Sequence, residues 1–254
     1  MASLSLLRVA VCGAGSIGRE FALRHLVEDA GVVVVAVIDQ NLTLAQALSV
    51  DVGMRRAGAT VEGPKYRETI ATPVAGIDIP TVEFAENLQA VLHLVDAVYI
   101  GTPPSTHASL TLTALSAKKH ILLEKPISVS NEDADAIVDA SERAWEEHKL
   151  IVNLNIGMRY NSAVVEMRRR IVDREIGNLL RMRLFLKFIQ WPRQWQKQPW
   201  VARREQGGPL LEVAPNLQMI NRRSFPIYAC LVHAGRNALD FRFVRDFGAL
   251  ELQE

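Results

Sequence analysis

The stretch Leu7–Gly18, LRVAVCGAGSIG, decides how the rest of the chain is read. From Leu6 to Cys12 the residues are apolar apart from Arg8, and they run directly into Gly13, Gly15 and Gly18. An apolar run stopped by glycines predicts a strand and a tight turn, and Ile17, Phe21 and Leu26 then share one side of the helix expected to follow. The first glycine permits the turn, the second lets backbone approach a pyrophosphate, and the third lets helix pack on strand. With Ser16 and Ile17 at the helix start, unpaired N–H groups and the positive end of the helix dipole offer a place for two phosphates without any basic side chain. Next comes the β-branched run Val32 to Ile38, closed by Asp39, which lies 21 residues after Gly18. A carboxylate there accepts hydrogen bonds from an adenosine ribose diol and repels a 2′-phosphate; Gln40 and Asn41 bring no arginine to bind one. This pattern predicts a dinucleotide site that prefers NAD(H), with NADP(H) as the other candidate. The alternative is a glycine turn in some other doubly wound protein, with Asp39 merely starting a loop.

Composition sets outer bounds. A chain of 254 residues holds one large domain or two modest ones. Its 49% apolar and 22% charged residues are ordinary for a globular protein, and a formal charge of +1 supplies no field for nucleic acid or membrane. The two cysteines, Cys12 and Cys230, lie far apart in apolar contexts, which argues against a disulfide framework, and no metal-ligand spacing occurs. The amino terminus has no basic n-region, and no window reaches the ~20 apolar residues of a membrane span. The expectation is a cytoplasmic protein without nucleic-acid or membrane partners.

Farther along, residues 52–80 are rich in Gly, Pro, Thr and Arg and read as a loop-bearing insertion. Val95 to Gly101 is a strand stopped by Thr102, Pro103 and Pro104, followed by a helix to about Ala117 and a second strand ending at Glu124. Strands alternating with helices predict a doubly wound parallel sheet with helices on both faces. Ser130 and Asp133 form a capping-box signature, and Ala134, Ile137, Val138, Ala144 and Trp145 keep helical spacing behind it. The pattern then changes. Met182, Leu184, Leu186 and Phe188 alternate with Arg181, Arg183 and Lys187, the period of a half-exposed strand, and Leu239, Phe241 and Phe243 repeat it. The expected division is a dinucleotide-binding domain over 1–127 and a partial second domain over 128–254. Arg168, Arg169 and Arg170 read as a solvated helix face.

Ligands of open α/β sheets sit beyond the carboxyl ends of the strands. Two such ends stand out: GTPPSTH, Gly101 to His107, and ILLEKPIS, Ile121 to Ser128, where an apolar strand runs into Glu124, Lys125 and Pro126. A charged pair is costly at the end of a buried strand unless it acts on something there; the other reading is a solvent-facing Lys125 paired with Glu124. The combination of GAGSIG, Asp39, TPPSTH and LLEKP resembles the glucose-fructose oxidoreductase, inositol dehydrogenase and rhizopine-catabolism (Gfo/Idh/MocA) family of NAD(P)-dependent sugar and polyol oxidoreductases. The likeness is clear from about Leu7 to Ile127 and weaker through NLNIGMRYNSAV, EIGNLLRMRL and GGPLLEV.

That resemblance implies a Rossmann domain followed by an α+β substrate domain with an open, mostly antiparallel sheet, incomplete here because the chain ends short of the family's usual length. It implies a sugar or polyol substrate and a homo-oligomer formed through the second-domain sheet. Lys125 then lies beside the nicotinamide and stabilises negative charge on the substrate oxygen. Glu124 orients it, and Thr102, Pro103 and His107 line the cofactor side, His107 being equally readable as a packed helix-start residue. Arg159, Tyr160 and Trp191 fall on the substrate side; Trp191, with Trp195 and Trp200, also reads as core packing. The family carries an acidic residue followed four positions later by a histidine after GG. Here Glu212 stands for the acid, but Asn216 takes the histidine's place, and asparagine cannot accept a proton. Three readings follow: Lys125 or Glu212 takes over as base; the chain binds NAD without turnover, as a sensor or regulator; or residues 214–254 are not the family's own continuation, leaving an inactive fragment.

Overall fold

The computed structural model describes residues 6–29, 31–58, 81–177, 181–187, 199–206, 229–235 and 238–244. It divides into two compact units, Met1–Asn155 and Ile156–Glu254.

In the first unit the apolar runs become strands β1 (Leu7–Cys12), β2 (Val32–Ile38), β3 (Glu83–Ala85), β4 (Ala97–Ile100), β5 (His120–Glu124) and β6 (Val152–Asn155). They pair in parallel in the order β3-β2-β1-β4-β5-β6. Residues from Val33 to Ile38 are all buried, as a central parallel strand covered on both faces requires. Side chains alternate across the sheet, so Ala10, Cys12, Val35, Val98, Ile100, Ile121 and Leu123 join one core layer. Val9, Val11, Val34, Val37, Ala97 and Tyr99 join the other.

Helices cover both layers. Helix α1 (Ser16–Phe21) passes into a π-helical turn, Ala22–Leu26, with Val27 N–H donating to the Ala22 carbonyl at 3.1 Å. This wider turn lies beyond Ile17 and Phe21, and its longer repeat brings Leu26 closer to the side that Phe21 occupies. Phe21 and Leu26 do pack on the core, but Ile17 is 41% exposed. Helix α2 (Leu42–Arg56), capped by the Asn41 side chain on Thr43 N–H and Leu44 N–H, occupies the start of the segment read as a loop. Residues 59–80 of that segment lie outside the described residues. Helix α3 (His107–Ser116) ends as predicted, and α4 (Asn131–His148) is capped by Ser130, whose hydroxyl accepts from Asp133 N–H at 3.1 Å. On α4 only the stripe through Ile137 and Ala144 is buried. Val138 and Trp145, one residue and 100° farther round the helix, are 43% and 52% exposed.

The first unit continues beyond the expected boundary at Ile127 because β6 completes the parallel sheet by pairing with β5. The second unit contains a 3₁₀ turn (Gly157–Tyr160) and α5 (Ser162–Val172). Strands β7 (Arg181–Lys187), β8 (Ala229–Gly235) and β9 (Ala238–Val244) form an antiparallel sheet in the order β7-β9-β8. The two alternating runs thus fall on β7 and β9; which of their faces is covered lies outside the described side chains. On α5, exposed Arg169 and Arg170 share Glu166 and Glu175, and Arg169 also bonds Asp173. No described helix is long and apolar enough to cross a membrane.

Candidate active site

Strands β1 and β4 are neighbours from which the chain proceeds to opposite sides of the sheet, the topological switch where open α/β sheets form their crevice. The glycine loop leaves β1 there. Gly13 has φ +95°, and a Cβ on it would stand 2.7 Å from the Gly101 carbonyl oxygen at the end of β4. A Cβ on Gly18 would meet the Gly13 carbonyl oxygen at 1.7 Å, so helix and turn touch backbone to backbone. At Gly15 the same construction meets nothing within 4 Å. That open side, with Ser16 and Ile17 exposed beside it and no acidic residue in the first turn of α1, fits a pyrophosphate.

Asp39 directly follows β2, beside the glycine loop. Its Oδ2 accepts from Ala14 N–H and its Oδ1 from Asn41 N–H, both at 2.8 Å. The carboxylate is thereby aimed by the glycine loop itself, and with about four acceptor positions in all it keeps capacity for a ribose diol.

The other two loops meet through His107. This imidazole is wholly buried, with Nδ1 2.8 Å from the Pro126 carbonyl and Nε2 3.0 Å from the Thr102 carbonyl. It clasps the TPP loop to the EKP loop and turns no free nitrogen toward the crevice, so its place is that of the packed helix-start residue. Thr102, Pro103 and Lys125 are half-buried at the rim, the Lys125–Pro126 peptide is cis, and Thr106 Oγ1 donates to Thr102 Oγ1 at 2.7 Å.

Burial holds the His107 imidazole below its ordinary value of 6.5. The unfolded chain therefore takes up a proton below that pH more readily than the folded one, so the contribution of His107 to stability is lost as pH falls below 6.5. His107→Ala also leaves a cavity and strands the one carbonyl that the neutral imidazole N–H serves, so it should cost about 3 kcal/mol. Urea unfolding should show that loss shrinking as the pH is lowered; a pH-independent difference would contradict the clasp.

Sequence reasoning missed one cluster. The Tyr99 hydroxyl donates to Glu124 Oε1 at 2.9 Å, and Asn155 Nδ2 donates to the same oxygen at 2.6 Å. Burial pushes the Glu124 carboxyl up, against the Asn155 and Tyr99 donors and the Lys125 charge. Burial, and then the Glu124 charge, hold the Tyr99 phenol well above its usual range, so it remains a donor. The available signal was a tyrosine in an otherwise aliphatic buried strand, since a buried hydroxyl requires a partner.

A family model described as an oxidoreductase family with an NAD-binding Rossmann fold matches residues 7–153. The chain belongs to the Gfo/Idh/MocA family. Among curated Gfo/Idh/MocA-like relatives, a 1,5-anhydro-D-fructose reductase of Ensifer adhaerens is 33% identical over 47% of this chain and 34% of its own length. An inositol 2-dehydrogenase of Arthrobacter sp. (strain FB24) is 34% identical over 68% of this chain and 43% of its own. The chain thus spans less than half the length of either. The solved structure of GenD2 from gentamicin A biosynthesis, in complex with NAD, shares the fold with a TM-score of 0.67 at 18% identity, over 93% of this chain and 62% of that one.

The remaining positions singled out in the sequence belong to the second unit. Arg159 and Tyr160 sit in the 3₁₀ turn of the second unit, where Tyr160 is 79% exposed. Trp191, Glu212 and Asn216 fall outside the described residues. Among the described residues no cluster of side chains suited to a metal occurs.

Proposed function

We propose that the first unit binds NAD(H) and that the protein exchanges hydride with a secondary alcohol or ketone of a sugar or polyol. The supporting observation is convergence: the open face at Gly15, the Asp39 carboxylate, the TPP loop and Lys125 follow the carboxyl ends of β1, β2, β4 and β5, tied together by Ala14, Gly101 and His107. The bound nicotinamide would supply the hydride acceptor or donor. Backbone amides at the start of α1 receive the diphosphate, and Asp39, with no arginine in Gln40 or Asn41, favours NAD(H) over NADP(H). Lys125 faces the substrate oxygen with its ammonium and lowers the cost of charge developing there. Glu212 assists, while Asn216 orients the substrate without taking its proton. Arg159, Tyr160 and Trp191 are assigned to the substrate side. The names of the curated relatives, an inositol dehydrogenase and an anhydrofructose reductase, support the polyol and sugar class.

NAD at 100 times its Kd should stabilise the full chain by about 2.7 kcal/mol, visible as a raised melting temperature. Slow reduction of NAD should follow across a panel of inositols and sugars, because a placed base is typically worth ~10²- to 10⁴-fold. A second reading, a non-catalytic NAD sensor, is favoured by Asn216. Tight NADH binding without turnover, and with none restored by Asn216→His, would select it. Absence of any melting shift with NAD would remove both.

A further inference from the structure

The parallel register places Glu124 opposite Asn155, and Tyr99 opposite Leu122, two residues before Glu124. With a side-chain period of two, Tyr99, Leu122 and Glu124 therefore share one face of the sheet. The Tyr99 ring is held on two sides. Phe21 of α1 stacks on it with centroids 4.1 Å apart and planes 7° from parallel. Gly101 lies so close that a Cβ there would come within 2.8 Å of the ring. A ring pinned this way fixes its hydroxyl, and that hydroxyl shares Glu124 Oε1 with Asn155. Two N–H or O–H donors on one carboxylate oxygen favour the ionised form.

Resting on the reading of Lys125 given above, we propose that Tyr99 and Asn155 are positioning residues which keep Glu124 ionised and fixed as the counter-charge of the Lys125 ammonium. The groups facing Glu124 are Tyr99 from β4, Asn155 from β6, and Lys125 with both its charge and its backbone N–H; Glu20 of α1 acts on Tyr99. Burial is the larger effect and opposes ionisation of Glu124; these donors counter part of it. Without them the carboxyl takes a proton at a pH where the intact site keeps a charge, and Lys125 loses its fixed neighbour.

The test uses the full chain labelled with ¹³C at glutamate side-chain carboxyls, with Glu124→Gln to assign the resonance. In Tyr99→Phe, which keeps the stack on Phe21, and in Asn155→Leu, the Glu124 titration should move to higher pH. The acid limb of kcat/KM should move with it, lowering the rate on that limb by about tenfold while the alkaline plateau is little changed. A Glu124 titration that is the same in wild type and both variants overturns the proposal, as does an unmoved acid limb when the titration has moved. If wild type binds NADH but turns nothing over, the catalytic reading fails separately, and the carboxyl titration alone decides the network.

Discussion

Gly18→Ala should disrupt the first turn of the sheet, whereas Gly15→Ala should leave the fold standing and remove NAD binding. The two glycines differ in what surrounds them. A Cβ at position 18 lies 1.7 Å from the Gly13 carbonyl oxygen. That atom is backbone, so no change of rotamer relieves the clash. Gly13 is itself held by its N–H on the Ile38 carbonyl at 2.7 Å, and it abuts Gly101. Relief requires parting α1 from the switch between β1 and β4, a strain of about 3–5 kcal/mol against a typical domain stability of 5–15 kcal/mol. Circular dichroism melts should show a large fall in the transition temperature. At Gly15 a methyl meets nothing within 4 Å, and φ of −69° suits any residue, so stability should hold. The methyl would fill the space assigned to the pyrophosphate. NADH affinity should fall on the order of 100-fold, about 2.7 kcal/mol, by fluorescence titration. Undiminished binding in Gly15→Ala would place the diphosphate elsewhere.

Lys125→Ala should abolish most turnover and leave cofactor binding nearly intact. Lys125 directly follows β5, while the phosphate and ribose contacts assigned above belong to the glycine loop and Asp39. Removing a preorganised donor from a developing oxyanion typically costs 10²- to 10³-fold in kcat, roughly 2.7–4 kcal/mol. Because Lys125 is half-buried and lies outside both core layers, the fold should tolerate the change. Steady-state rates combined with NADH titration separate the two effects. A variant that turns over at the wild-type rate would return Lys125 to the solvent-facing role that its sequence position also allows.

Much of the candidate site was legible because its residues are local in sequence. Gly13, Gly15, Gly18 and Asp39 belong to one β-α-β unit, and the conformations they require are written in residue type and spacing. The strand ends at Thr102 and Lys125 were likewise marked by prolines. Helix α2 was read in part as loop, because Gly53 and the run of small and β-branched residues weaken its helical signal. The spacing of Ile137, Val138, Ala144 and Trp145 marked a helix but not how wide a stripe of it is buried.

By itself the sequence determined the parallel α/β class, the dinucleotide turn and the residues at the strand ends, since each depends on contacts within a few turns or on the period of one strand. Only the tertiary structure decided that His107 clasps two loops and that Tyr99 and Asn155 share one oxygen of Glu124. Tyr99 is 25 residues from Glu124, and Asn155 is 31. Such partners are set by the order in which strands pair, and a buried polar group takes whichever donor that order brings within reach.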